Sequence, residues 1–74
     1  NPATLIEYRL PRDGRVRLEV FNDSGQRVEV LADGWRQAGA HVAAWDTGSQ
    51  GSGVYFYRFW ADGFAQTRKM LLIR

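Results

Sequence analysis

The segment VRLEVFNDSGQRVEVL, residues 16–31, contains the clearest structural pattern of the chain. From Val16 to Val20 apolar residues alternate with charged ones, which predicts a β-strand with one buried and one solvated face. Asn22–Gly25 then suits a type I turn followed by a glycine in the left-handed region, the geometry of a short hairpin. We therefore expect the chain to return as an antiparallel strand from Arg27 to Leu31.

Similar alternation predicts strands on both sides of this hairpin. They are Ile6–Leu10, Ala40–Trp45, Gly53–Trp60 and a last and longest strand, Phe64–Ile73. We interpret Ala32–Gly39, which contains Trp35, as the longest loop and as the crossing from one sheet to the other. Asp62-Gly63 is a tight turn, and the pattern leaves open whether it is a two-residue primed turn or the end of a three-residue bulged loop.

Six to seven short strands separated by turn signals, without helical periodicity, predict an all-β fold. The expected architecture is an immunoglobulin-like antiparallel β-sandwich, and an open barrel is the structural alternative. Residues 1–74 are expected to form one small domain, because a chain of 74 residues is too short for two hydrophobic cores. The chain does not begin with Met, so we expect it to be a piece of a longer protein.

Composition argues against several classes of protein. The absence of Cys rules out disulfides, and a single His leaves too few of the usual donors for a zinc site, so neither a metal nor a cofactor is expected. No apolar run reaches the roughly 18 residues of a membrane-spanning helix, so direct membrane insertion is not expected. The formal net charge of +2 identifies no partner.

The titratable and nucleophilic residues do not form a catalytic pattern. The eight carboxylates fall mostly in turns or at outward strand positions, where they serve turn geometry and solubility. Ser24, Ser49 and Ser52 lie in glycine-rich turns. The only candidate base, His41, is predicted to share one face of its strand with Trp45, which is a structural setting. We therefore predict that the protein is not an enzyme.

Two sets of residues are candidates for binding surfaces. The first is a set of basic residues interleaved with aromatic ones: Arg9, Arg15, Arg17, Arg27, Arg58, Arg68, Lys69 and Arg74. Acidic residues in the first three strands dilute its positive field, so a nucleic-acid partner is not expected. The second set is Trp35, Trp60 and Tyr55, whose rings can stack on sugars, with the two Trp residues expected nearest the surface. It supports an alternative function as a carbohydrate-binding accessory module of a polysaccharide-degrading enzyme.

The order of short motifs along the chain resembles a known family. The motifs are Asn1-Pro2-x-Thr4-x-Ile6-x-Tyr8-x-Leu10-Pro11, Val16-x-Leu18-x-Val20-Phe21-Asn22, Gly25-Gln26-x-Val28 with Leu31, Ala38-Gly39-x-His41, Trp45-Asp46, Ser52-Gly53-Val54-Tyr55-Phe56-Tyr57-Arg58 and Thr67-x-Lys69-Met70-Leu71-Leu72. As an ordered set covering nearly the whole chain, they resemble the type A C-terminal sorting domain of type IX secretion substrates. They also resemble the related immunoglobulin-like module of flagellar hook-capping proteins. Two departures are the single Asn-Pro, which the family often doubles, and Ala43, where the family usually has a bulkier β-branched residue.

The resemblance implies a non-catalytic C-terminal signal of a secreted enzyme or adhesin from a Bacteroidota-like bacterium. Its partners would be the type IX translocon, which carries the parent from the periplasm across the outer membrane, and a surface sortase, which usually removes the domain by cleavage before Asn1. The parent would then be at the cell surface or secreted. The translocon recognition segment maps onto Lys69, Met70, Leu71, Leu72, Ile73 and Arg74, and the family motif maps onto Gly53, Val54 and Tyr55.

The last predicted strand offers a physical route to such recognition. If Phe64–Ile73 lies at a sheet edge, a partner can read its free backbone groups through strand addition. This hypothesis is motivated by the apolar run Met70–Ile73. One alternative is that these residues simply complete the core, and another is that the whole domain is a structural spacer without a role in export. The isolated domain is expected to be a monomer.

Overall fold

A computed structural model describes residues 3–73 and contains six β-strands and no helix within that range. The strands are β1 Ala3–Leu10, β2 Gly14–Asn22, β3 Arg27–Arg36, β4 Gly39–Asp46, β5 Gly53–Ala61 and β6 Phe64–Leu72. β1 pairs with β4 in a two-stranded sheet, and the other four form a sheet in the order β3-β2-β5-β6. All pairs are antiparallel. The prediction of an all-β fold with an immunoglobulin-like sandwich is confirmed, and the two separate sheets argue against the open barrel.

The hairpin between β2 and β3 forms as its sequence predicts. The Asn22 side-chain oxygen accepts hydrogen bonds from the amides of Ser24 and Gln26, each at 3.0 Å. The Gly25 amide donates to the Asn22 carbonyl at 3.0 Å, and Gly25 has a φ of 86°. A side chain other than glycine would be strained in this left-handed conformation, which explains glycine at the end of the turn.

The prediction that Ala32–Gly39 forms a loop is wrong for most of these residues. β3 continues through them to Arg36, so that Gly34 lies opposite Val16 and Trp35 lies opposite Arg15. Asp33-Gly34 is part of this strand: both residues pair with β2, and the Asp33 carboxylate forms an ion pair with Arg17 of β2. The crossing between the sheets follows β3 as expected, but it needs only residues 37–38. The longest connection is residues 47–52, and the longest strand is β3 with 10 residues, whereas β6 has 9.

The turn between β5 and β6 has two residues, which resolves the register that the sequence left open. Ala61 lies directly opposite Phe64, with Asp62 and Gly63 between them. Gly63 has a φ of 92°, whereas Asp62 does not have a positive φ. A positive φ at the second turn residue alone is the pattern of a type II turn, so the turn is neither a primed turn nor part of a three-residue bulged loop.

The core lies between the two sheets. β2 contributes the alternating residues Val16, Leu18 and Val20, each at most 2 % exposed. The other buried apolar side chains are Ile6, Leu10, Ala32, Trp45, Tyr55, Phe59 and Ala61, and Ala43 packs against this cluster from β4. Burying each large apolar side chain contributes roughly 1.5–3 kcal/mol, so this layer provides most of the favourable free energy of folding.

Candidate functional site

The Gly53-Val54-Tyr55 motif begins β5 and attaches the preceding loop to the core. Gly53 has a φ of 151°, a conformation that other residues rarely adopt. The buried Tyr55 ring meets Trp45 edge to face at a centroid distance of 5.1 Å, and its hydroxyl donates a hydrogen bond to the Gly51 carbonyl at 2.7 Å. Val54 points to the opposite face of the sheet, across from Leu71. The structure therefore gives Tyr55 a packing role in the free protein.

β6 is an edge strand of the four-stranded sheet. It pairs with β5 without interruption from Phe64 opposite Ala61 to Leu72 opposite Gly53, and no described strand lies on its other side. One row of its backbone groups is therefore available to a partner, as the strand-addition hypothesis requires. The other edge of the same sheet, β3, has two register irregularities opposite β2. Because bulges disturb further pairing, β6 is the more regular edge of the two.

The residues assigned to translocon recognition divide into packed and exposed positions. Met70 and Leu72 pack against the core, as the core-completion alternative predicts. Leu71 and Ile73 are 69 % and 79 % exposed, and Lys69 is exposed beside Leu71 on the outer face of the sheet. Within this segment, Met70 and Leu72 therefore complete the core, whereas Leu71 and Ile73 face solvent. The remaining residue of the segment, Arg74, lies outside the described part of the chain.

Only part of the proposed sugar-stacking set is available. Trp35 and Trp60 are 63 % and 42 % exposed, as expected from the sequence. They lie on the same outer face of the four-stranded sheet, opposite Arg15 and Arg17 of the strand between them. The two residues are two strands apart and offset by two positions along the strands. With a strand spacing of about 4.8 Å and a rise of about 3.4 Å per residue, their Cα positions are about 12 Å apart. The third member, Tyr55, is buried beneath this sheet and is unavailable for stacking.

An ion-pair network covers part of the same outer face. Glu19 accepts hydrogen bonds from Arg17 at 2.9 Å and Arg27 at 3.1 Å, and Arg17 also contacts Asp33 at 2.9 Å. Partial desolvation of Glu19 opposes its ionisation, but the two guanidinium groups outweigh this effect and hold the pKa of Glu19 below its usual value. The hydrogen bond that Arg17 donates to Glu19 is the main reason that the pKa of Arg17 is raised. These pairings neutralise two members of the basic set, which weakens a phosphate-binding interpretation further.

His41 has the structural environment that its strand position predicts. It is half-buried, and its ring stacks on Tyr8 at a centroid distance of 5.2 Å. Its Nε2 lies 2.7 Å from the carbonyl oxygen of Gln37. The contact with Tyr8 follows from the pairing of β1 with β4, which a local sequence pattern does not show.

Broader comparisons add no further assignment. No family model, no curated protein and no solved structure matches this chain. In residues 3–73 there is no group of three or more His, Cys, Asp or Glu side chains arranged to hold a metal ion. The same residues include no helix with the length and hydrophobicity needed to cross a membrane.

Proposed function

We propose that this chain is a non-catalytic C-terminal sorting signal that directs its parent protein through a type IX translocon. The ordered motif set described above supports this assignment. The observation that carries it is the open, regular edge of β6, together with the exposed side chains of Leu71 near its end and of Ile73 just after it. A translocon component pairs with this edge and contacts those two side chains, while Met70 and Leu72 keep the strand attached to the core.

The proposal includes a route for the parent protein. The parent crosses the periplasm with this domain attached and then passes the outer membrane. A surface sortase removes the domain by cleavage before Asn1, and the parent is at the cell surface or in the medium. Disulfide-free folding suits this route, because the core of the domain needs no oxidant to form.

The test is export of a reporter protein that carries residues 1–74 at its C-terminus, in a host with a working type IX system. Removing Lys69 to Arg74 would also remove the core contacts of Met70 and Leu72, so point substitutions are preferable. The informative variant is Leu71→Lys with Ile73→Lys. Its matched control is Leu5→Lys with Val42→Lys, because these apolar residues are similarly exposed, at 67 % and 60 %, on the smaller sheet. Circular dichroism checks that both variants are folded.

We expect the original fusion and the control variant to reach the surface or the medium, and the Leu71/Ile73 variant to stay in the periplasm. Equal export of both variants would remove the recognition role of these two residues. If none of the fusions is exported while a known signal works in the same host, the sorting function is wrong, as the spacer alternative predicts.

The exposed Trp35 and Trp60 favour one second candidate function, a carbohydrate-binding accessory module. Exposed aromatic rings can stack on sugar rings, and both indoles are on one face of the sheet. Calorimetric titration with soluble oligosaccharides tests this candidate, with Trp35→Ala as the variant that should lose binding. The absence of heat with a panel of plant and bacterial glycans would eliminate it.

A further inference from the structure

The first part of the inner face of β6, from Phe64 to Arg68, is left uncovered by the smaller sheet. Gln66 and Arg68 point to the same side of the sheet as the buried Phe59, but both are exposed. Phe64, on the same row, is 45 % exposed although its ring contacts Phe59 edge to face at 5.8 Å. These inner-face residues are exposed because the sheets differ in size: the two-stranded sheet cannot cover all four strands of the other sheet.

The free edge of β1 lies beside this uncovered surface. The Tyr8 ring on β1 contacts the Phe59 ring on β5 at a centroid distance of 5.0 Å, so β1 lies above β5 and leaves β6 beyond it. β1 pairs along its whole length with β4, and no described strand pairs with its opposite edge. The space between is a groove of 460 Å³. This β1–β6 groove is lined by Glu7, Tyr8, Arg9, Tyr57, Phe59, Phe64, Gln66 and Arg68.

The width of the groove selects a single strand as its occupant. Neighbouring strands are about 4.8 Å apart, and β6 extends one strand beyond β5. One strand added to β1 would therefore lie directly above β6 and complete the sandwich on that side. A dimer in which β1 pairs with β1 of a second copy fits less well. The β6 strand of the second copy would then extend into the groove that the paired strand has to occupy.

Charge and polarity define the chemistry of that strand. The floor is aromatic at Phe59 and Phe64, which favours apolar side chains on the inward face of the occupant. Arg68 on the floor and Arg9 on the rim belong to none of the ion pairs within residues 3–73. Glu7 is the single carboxylate in the lining, so the groove has a net positive charge. Carboxylates on the occupant would pair with the two free guanidinium groups.

We propose that the β1–β6 groove binds an extended acidic peptide segment of a partner protein, which adds to the free edge of β1 as a third strand of the smaller sheet. Main-chain hydrogen bonds to β1 provide the general affinity, and alternate side chains packing on β6 provide the selectivity. This surface is separate from the outer edge of β6 used in the proposed export function. A domain bound to a translocon through β6 therefore still has its β1 edge available.

The test is titration of the chain with a capped peptide of about nine residues, the length of one strand. Thr occupies every second position and Val and Glu alternate at the positions between, so the row that faces β6 presents both apolar groups and carboxylates. NMR amide exchange of the protein is measured with and without the peptide. We expect alternate amides of β1 to gain protection, because only those on the free edge acquire new partners. The control peptide has its central Val replaced by proline, which removes a backbone donor and disfavours the extended ladder.

Two protein variants separate strand addition in the groove from general attraction of an acidic peptide. Arg68→Glu reverses the charge of the groove floor, and Lys69→Glu makes the same change one residue later on the opposite face of β6. Both positions are exposed, so both variants should fold. We expect Arg68→Glu to weaken peptide binding by about tenfold or more, because Arg68 would contact a peptide carboxylate directly. Lys69→Glu should change binding by about twofold or less, because Lys69 would act on the peptide only through long-range attraction that salt screens.

Equal weakening by both variants would overturn the proposal, because it would show that the peptide is held by net charge alone. Peptide binding without new protection in β1, or equally strong binding of the proline peptide, would also overturn it. Failure of the Val-Glu peptide to bind at millimolar concentration would show that the groove does not accept an acidic strand, and it would leave the export proposal unaffected.

Discussion

Glu19 shows how one side chain organises the outer face of the main sheet. Its carboxylate is 15 % exposed and receives hydrogen bonds from Arg17 on its own strand and Arg27 on the neighbouring strand. Because the two guanidinium groups lower the pKa of Glu19 from its usual value of 4.5, the ionised form is favoured by folding. Such a group stabilises the folded state above its unfolded pKa, and this contribution is lost as the pH falls through the folded pKa.

Glu19→Gln should therefore reduce stability in a pH-dependent manner. At about pH 7 we expect the variant to lose on the order of 1 kcal/mol in the free energy of unfolding, measured by urea denaturation. Near pH 3 the difference from the original protein should be smaller, and it should approach zero at still lower pH, because Glu19 is then protonated in both states. Glu29→Gln, on the exposed part of β3, is the control. A difference that stays constant from neutral to acidic pH would contradict this account.

Single residues were predictable from the sequence where local chemistry decides their environment. The Asn22–Gly25 turn depends on one side chain and one glycine, and both act as predicted. The burial of Tyr55 contradicts its place in the sugar-stacking set with Trp35 and Trp60. It follows from contact with Trp45, which is on the other sheet, so no local pattern indicates it.

At the scale of single elements, β2 and β5 form the centre of the main sheet. They are the only described strands that pair on both sides. Leu18, in the middle of β2, is fully buried, whereas Leu71 on the edge strand β6 is 69 % exposed. Replacing each of these two leucines with alanine therefore makes the same chemical change once in the core and once at the surface.

Leu18→Ala should destabilise the protein by about 2–5 kcal/mol, because it removes buried methyl groups and leaves a cavity in the core. Leu71→Ala, the matched control, should change the free energy of unfolding by less than about 0.5 kcal/mol. Thermal and urea denaturation followed by circular dichroism provide both values. Similar losses in the two variants would show that the outer end of β6 is packed more tightly than its exposure indicates.

β3 shows why elements can be misjudged from sequence. Asp33-Gly34 has the composition of a turn, but both residues pair with β2. The interactions that override the turn signal are long-range: an ion pair to Arg17 and a ladder opposite β2, which begins at Gly14. The strands around the Val16–Val20 pattern were predicted well because alternation alone specifies them.

At the scale of the whole molecule, four of the six strands have an unpaired edge within the described residues. These strands are β1, β3, β4 and β6. The uncovered part of the inner side of β6 also appears only at this scale, because it depends on the pairing of β1 with β4, two strands that are distant in the sequence. The sequence predicts both strands, but it does not show that they form a sheet of only two.

Hydrogen exchange should reveal this distribution of edges. We expect the slowest amides in β2 and β5, where both rows of backbone groups are paired and the side chains are buried. In β6, amides should alternate between slow exchange on the β5 side and fast exchange on the free side. Uniformly slow exchange through residues 69–73 would show that this edge is not available to a translocon.

The depth of the three indoles has a practical consequence. Trp45 is enclosed between the sheets, whereas Trp35 and Trp60 are on the outside of the molecule. The folded protein therefore contains two optically distinct populations, one shielded from an aqueous quencher such as acrylamide and one accessible to it. Loss of the shielded emission reports separation of the two sheets, and a change confined to the accessible emission reports an event on the outer face. One fluorescence experiment can thus distinguish unfolding from surface binding without any added label.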